Sequence, residues 1–177
     1  QPIIRVLSEN TKYLLEMHPA RWVESNTGKW KSRDKKLAVV KDGLGIVYSV
    51  ADDGEMKPLW EVAGVYPREF RTGKFPYHPE KITYYVSNDG SKVLRVLDGF
   101  WKSKSLFLTY ERSGGKSEVP FSPPELVVAY GGCALIIISS QHYLRADDVL
   151  EFKTIASGEL KKPENWEMSI HTGKIIK

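Results

Sequence analysis

Short runs of β-favouring residues alternate along this chain with turns built from Gly, Asn and Asp. LAVVK (37–41) precedes Asp42-Gly43, and IVYSVA (46–51) follows it. Asp52-Asp53-Gly54 then leads through a polar stretch to LWEVAGVY (59–66). ITYYVS (82–87) meets Asn88-Asp89-Gly90, and KVLRVL (92–97) comes next. LFLTYE (106–111) meets Gly114-Gly115, ahead of a short strand near Val119. VLEFKTI (149–155) is joined to WEMSIH (166–171) by a polar connection holding Gly158 and Pro163, and Thr172-Gly173 turns into Ile175-Ile176. Glycine supplies the positive φ of tight hairpin turns, and Asn and Asp tolerate it better than other residues. Strand, turn and strand at regular intervals predict an all-β fold of antiparallel hairpin units with little helix, propeller-like or two packed sheets.

The opening segment tests this reading. SENTKYLLEMHPARW (8–22) has the apolar spacing of a short amphipathic helix. Yet SNDGSKVLRVLDGFW (87–101) matches it in length, with Ser8/Ser87, Leu15/Leu94 and Trp22/Trp101 coinciding. KVLRVL follows a turn and alternates Val93, Arg95 and Leu97 against Leu94 and Val96. Two related units share one conformation, so KYLLEM is predicted to be a strand. Thr11 stands where the second unit has Gly90, which predicts a turn of another type there. The offset is near twice a propeller blade's period of about 40 residues. A single all-β domain over 1–177 follows, interrupted by a loop insert at 71–81 that carries Pro76 and Pro79, and by a break at SPPE (122–125).

Composition fits a globular protein, with 41% hydrophobic and 27% charged residues. The net charge of +4 favours acidic partners only slightly, because 26 basic and 22 acidic residues are interspersed. The densest basic stretch, KWKSRDKK around Trp30, includes Asp34 and reads as a solvated loop, so nucleic acid is not the expected partner. The longest apolar run (126–138) contains Gly131-Gly132 and suits a buried strand rather than a membrane span. The single cysteine, Cys133, sits in that run as a small core residue. The chain opens on Gln1 rather than Met, which favours removal of an upstream segment and a secreted or periplasmic location.

The candidate chemistry is sparse. Gly115-Lys116-Ser117 ends like a phosphate-binding loop, but Tyr110 occupies the position of the required glycine and prolines follow. His18, His78, His142 and His171 form no zinc-ligand spacing, and VADDGE and SNDGS lack the acidic twelfth ligand of a calcium loop. No cofactor is therefore expected. One polar cluster gathers His142, Arg145, Asp147 and Asp148 within a few residues, with a base and acids but no nucleophile elbow. Trp60 reads as core. Trp22 and Trp101 end the two related units and read as packing between them. An exposed Phe100-Trp101 pair would instead offer a stacking platform for a sugar or peptide.

IVYSVADDGEMKPLWEV, YVSNDGSKVLRV, VLEFKTI and WEMSIHTGKII together resemble uncharacterised secreted bacterial β-repeat proteins with WD40- or YncE-like strand-turn units. The resemblance covers residues 46–97 and 149–176 and rests on turn chemistry. It implies a helix-free repeated body and export, and it transfers no catalytic residue. The expected function is a non-catalytic binding or structural module whose partner is a protein or glycan. Two alternatives stand beside it. One is a small hydrolase using His142 with Asp147 or Asp148. The other is an inhibitor presenting the 71–81 loop.

Overall fold

The computed structural model describes residues 3–19, 21–24, 37–41, 43–66, 81–98, 100–101, 107–119, 136–156 and 164–176. These contain no helix and fourteen strands. In chain order the first seven are β1 (Ile4–Leu7), β2 (Tyr13–His18), β3 (Arg21–Glu24), β4 (Leu37–Lys41), β5 (Leu44–Val50), β6 (Met56–Ala63) and β7 (Lys81–Val86). They continue with β8 (Lys92–Asp98), β9 (Phe100–Trp101), β10 (Phe107–Glu111), β11 (Lys116–Val119), β12 (Ile136–Leu144), β13 (Val149–Ala156) and β14 (Glu164–Ser169). All pairings are antiparallel. The first sheet has the order β1-β2-β5-β6 and the second β7-β8-β10-β11. The third is β12-β13-β14, extended beside β12 by the two-residue β9. Strands β3 and β4 form a separate hairpin. The described residues form no closed barrel.

The segment KYLLEM is extended, with Tyr13–His18 running between β1 and β5. Its apolar residues serve a strand because Leu15 and Met17 point into one core while Leu14 and Glu16 point the other way. Such alternation is the period of a pleated chain. The two matched turns are also built alike. Ser8 N–H donates to Tyr13 O at 2.8 Å, and Ser87 N–H to Lys92 O at 3.0 Å. Each serine hydroxyl accepts the amide five residues on, at 3.0 Å from Tyr13 and 2.9 Å from Lys92. Thr11 adopts φ 60° and Gly90 φ 68°. The expectation of a different turn at Thr11 is thus corrected: the hydrogen bonds impose the left-handed conformation, and the β-branched threonine carries the strain.

The strands flanking Asp42-Gly43 do not pair with each other. β4 lies against β3, and β5 lies between β2 and β6. Gly43 lacks a positive φ. A Cβ there would stand 2.4 Å from Tyr66 Cβ, so the glycine permits close approach rather than a hairpin reversal. The hairpins expected at Asp52–Gly54, Asn88–Gly90 and Gly114-Gly115 do form.

The middle sheet is buried on both faces. Val93, Leu108 and Tyr110 join Leu15, Met17, Val47 and Val62 of the first sheet in one cluster. Leu94, Val96 and Phe107 face the other way, onto Leu150, Phe152 and Met168 of the third sheet. Each fully buried side chain of this size stabilises the fold by roughly 1.5–3 kcal/mol. This two-sided burial explains why VLRVL and LFLTY are apolar at nearly every position.

One backbone bond recurs in all three sheets. The residue before the second strand accepts an amide from the end of the third: Val50 to Lys12 O, Arg112 to Ser91 O and Ile170 to Asp148 O. Counting from these acceptors, the same two positions hold Leu15 and Met17, then Leu94 and Val96, then Glu151 and Lys153. The first two pairs face a neighbouring sheet. The third pair faces outward on the third sheet, and its charges mark an end to the stack.

Two predictions follow from this packing. Gly90→Ala should lose roughly 1–3 kcal/mol from its backbone conformation, and more because the new Cβ would stand 2.3 Å from Tyr13 Cδ1. Gly54→Ala, at φ 86° with open space around it, should show the backbone cost alone when the two are compared by urea unfolding. Replacing both Glu151 and Lys153 by Leu should restore an apolar face and make the protein self-associate in light scattering. An unchanged monomer-sized species would contradict the end-of-stack reading.

Candidate functional site

At one end of the stack the turns of all three sheets meet around Asn88. Its backbone N–H donates to Asp148 Oδ1 at 2.8 Å, and its Nδ2 donates to Ala146 O at 2.9 Å. Its Oδ1 accepts the Asn10 amide at 2.8 Å, and its carbonyl accepts Asn10 Nδ2 at 2.7 Å. Beside it, Gly90 projects toward the first sheet, where Trp60 Nε1 donates to Gly90 O at 2.8 Å and Tyr13 covers the glycine. Trp60, read from sequence as core, is half-buried and also fastens this junction.

Asp148 is buried and holds a left-handed φ of 59°, a conformation aspartate tolerates. His171 Nε2 lies 2.8 Å from its Oδ2. Lys92 Nζ donates to His171 O at 2.6 Å and to Glu111 at 2.7 Å. The Lys92 hydrogen bond holds the Glu111 carboxyl below its ordinary value. Asp89 completes the corner by accepting from Ser87 Oγ at 2.6 Å and from the Ser91 amide at 2.9 Å. Partial burial pushes the Asp89 carboxyl up, but the bonds from Ser87 and Ser91 and the nearby His171 outweigh it and leave it lowered.

One oxygen each from Asp89 and Asp148, with His171 Nε2, lie within 4.8 Å of one another. Two carboxylates and an imidazole are donors that a divalent cation accepts. Here, though, the Asp148 oxygens already take Asn88 N–H and His171, and Asp89 takes two serines. Asp148 and His171 thus satisfy each other as a latch between turns, while Asp89 is satisfied within its own turn.

The structure brings together only Arg145 and Asp147 of the sequence-predicted polar cluster. His142 Nδ1 lies 2.5 Å from Tyr85 Oη, which also donates to His142 O at 2.9 Å. Asp147 pairs with Arg145 at 2.6 Å. Asp148 belongs to the Asn88 latch. Arg145 further reaches Glu151 at 3.2 Å and Glu167 at 3.8 Å. The side chains of Phe100 and Trp101 lie outside the described residues, although their backbone forms β9 on β12. The same holds for the side chain of Trp22. His78, residues 71–80 of the expected insert, Cys133 and KWKSRDKK also lie outside them, and Lys81, expected to end the insert, instead begins β7. His18 sits on the first sheet, 2.9 Å from Glu16, whose carboxyl is lowered first by its hydrogen bond from Arg5.

The described surface includes two recesses. A crevice of about 270 Å³ is lined by the first strands of the three sheets, through Val6, Leu7, Tyr84, Tyr85, His142 and Tyr143. A cleft of about 420 Å³ lies on the outward face of the third sheet, along Tyr143, Glu151, Lys153, Asn165 and Glu167. Sequence reasoning missed Glu151, Asn165 and Glu167. Their one signal was polarity at alternate positions of strands whose other positions are apolar.

The lowered Asp89 carboxyl gives a pH prediction with a definite sign. A depressed folded value adds stability that is present above the ordinary carboxylate range, about 4, and lost as pH falls through it. Asp89→Asn should therefore be less stable than the wild type at pH 7, and the gap should close below about pH 3 in urea midpoints. A gap of constant size would refute the electrostatic account.

No family model, no curated protein and no solved structure matches this chain.

Proposed function

We propose that this chain is a non-catalytic binding module of an exported bacterial protein, built from propeller-type strand-turn units. The observation that carries the reading is the fate of its reactive side chains. His142 is held by Tyr85, Asp147 by Arg145, and Asp148 by Asn88 and His171. A hydrolytic site requires a base, its orienting acid and a reacting atom within hydrogen-bond reach of one another. Among the described residues of this cluster the same residue types instead join turns and strands. The propeller-type reading is supported by three meanders of similar plan and by the bond shared among Lys12, Ser91 and Asp148. Export rests on the resemblance of the strand-turn segments.

The surfaces that offer room to a ligand are shallow, and tyrosines line both. That is the shape of a recognition surface in which a scaffold holds contact residues in place. The hydrolase alternative makes an opposite demand on His142. Incubating the protein with chromogenic esters, phosphomonoesters and glycosides should give turnover indistinguishable from buffer, and His142→Ala should change nothing. Turnover that disappears in His142→Ala would overturn the reading.

A further inference from the structure

The outward face of the third sheet combines features that a merely solvated face does not need. Tyr143 is a large aromatic residue, 56% exposed in the middle of a charged surface. Its hydroxyl donates to Glu151, which faces it across the β12–β13 ladder. Glu167 faces Glu151 in turn across β13–β14, and Lys153 pairs with Asn165 two positions along. The Arg145 guanidinium binds Asp147 and Glu151 and approaches Glu167, so one cation ties the turn to both strands. The ring is therefore held at its tip, and the polar groups around it are held by one another.

The stack itself says what this face is not. Its outward positions carry Glu151 and Lys153, where the other two sheets carry Leu15 and Met17 or Leu94 and Val96. Another sheet of this kind would bury those charges against apolar side chains, which is costly. The charge pattern narrows the ligand further. Three carboxylates stand against two cations, most of them already paired, so neither an acidic nor a strongly basic polymer finds a concentrated opposite charge.

We infer that the Tyr143 face of the third sheet binds a neutral oligosaccharide, with one sugar ring stacked on Tyr143 and its hydroxyls bonded by Glu151, Glu167 and Asn165. This rests on the reading of the chain as a binding module and names that module's ligand class. A pyranose has one face of C–H groups, which meet the electron-rich face of an aromatic ring, and a rim of hydroxyls. The rim needs planar acceptors and donors such as carboxylates and amides. The cleft of about 420 Å³ runs along these same residues, Tyr143, Glu151, Asn165 and Glu167. Rows two residues apart on a strand are separated by about 7 Å, enough for one or two sugar rings. Because Glu151 fixes the tyrosine before the ligand arrives, less side-chain freedom is lost on binding.

The test is a titration of the isotope-labelled protein by NMR, using cellohexaose, maltohexaose and laminarihexaose in turn, with a trilysine peptide as the cationic control. At least one oligosaccharide should give saturable shifts confined to the amides of 143–153 and 164–169. Tyr143→Ala should weaken that binding by about tenfold, whereas Tyr143→Phe, which keeps the ring but loses its bond to Glu151, should bind more tightly than Tyr143→Ala and more weakly than the wild type. The exposed position of Tyr143 lets both variants fold, as their unshifted core amides would confirm. No shifts with any of the three sugars would overturn the inference, as would shifts that ignore Tyr143→Ala or tighter binding of trilysine. Chromatography of the same samples separates the two readings. Shortened oligosaccharides would sink the non-catalytic function while leaving the glycan site standing. Intact but unbound sugars would sink the glycan site alone.

Discussion

Asn88 commits all four of its polar groups to other sheets. Its amide and Nδ2 go to the third sheet's turn, and its Oδ1 and carbonyl go to Asn10 of the first. Three sheets that share only apolar faces could slide on one another, because burial is non-directional. The turn junction removes that freedom. Directional bonds at one end fix the offset of each sheet, and the two clusters supply the driving force behind it. A net contribution of about 1 kcal/mol per hydrogen bond is small beside the burial. Its value lies in selecting one arrangement among several that bury similar area.

The same junction explains where the reactive side chains went. Asp148 is needed at a turn because it tolerates φ 59° and accepts Asn88 N–H, and His171 is needed to satisfy its second oxygen. Groups of catalytic type can be structural when their geometry is consumed by neighbours. The middle sheet, buried on both faces, has no surface to offer except its edges and turns. The crevice between first strands and the outward face of the third sheet offer room for a partner.

Much of the fold was legible in the residues. Period-two alternation in KVLRVL, together with Asn88-Asp89-Gly90, specified strand, turn and strand locally. The equivalence of SENTK with SNDGS moved Tyr13–His18 from helix to strand, against the apolar spacing of that segment. Asp42-Gly43 misled because a turn dipeptide can also mark close packing, and only the contact with Tyr66 separates the two cases. The polar cluster of His142, Arg145, Asp147 and Asp148 was legible as a cluster, but its bonding partners were not. His142 lies on β12 and the other three in the turn that follows it, where each side chain meets a different partner.

By itself the sequence determined the local conformations: which stretches extend, which reverse, and which positions are apolar. Those follow from sterics at each residue and from the period of the pleat, which neighbours along the chain decide. Only the tertiary structure decided that β4 leaves β5 for β3, that Asn88 holds three turns, and that the third sheet turns a charged face outward around Tyr143. Those facts depend on which surfaces meet across the stack, and such meetings join residues with partners scores of positions away, as Asn10 joins Asn88. Burial favours the meeting, hydrogen bonds choose its register, and neither is encoded within a single turn.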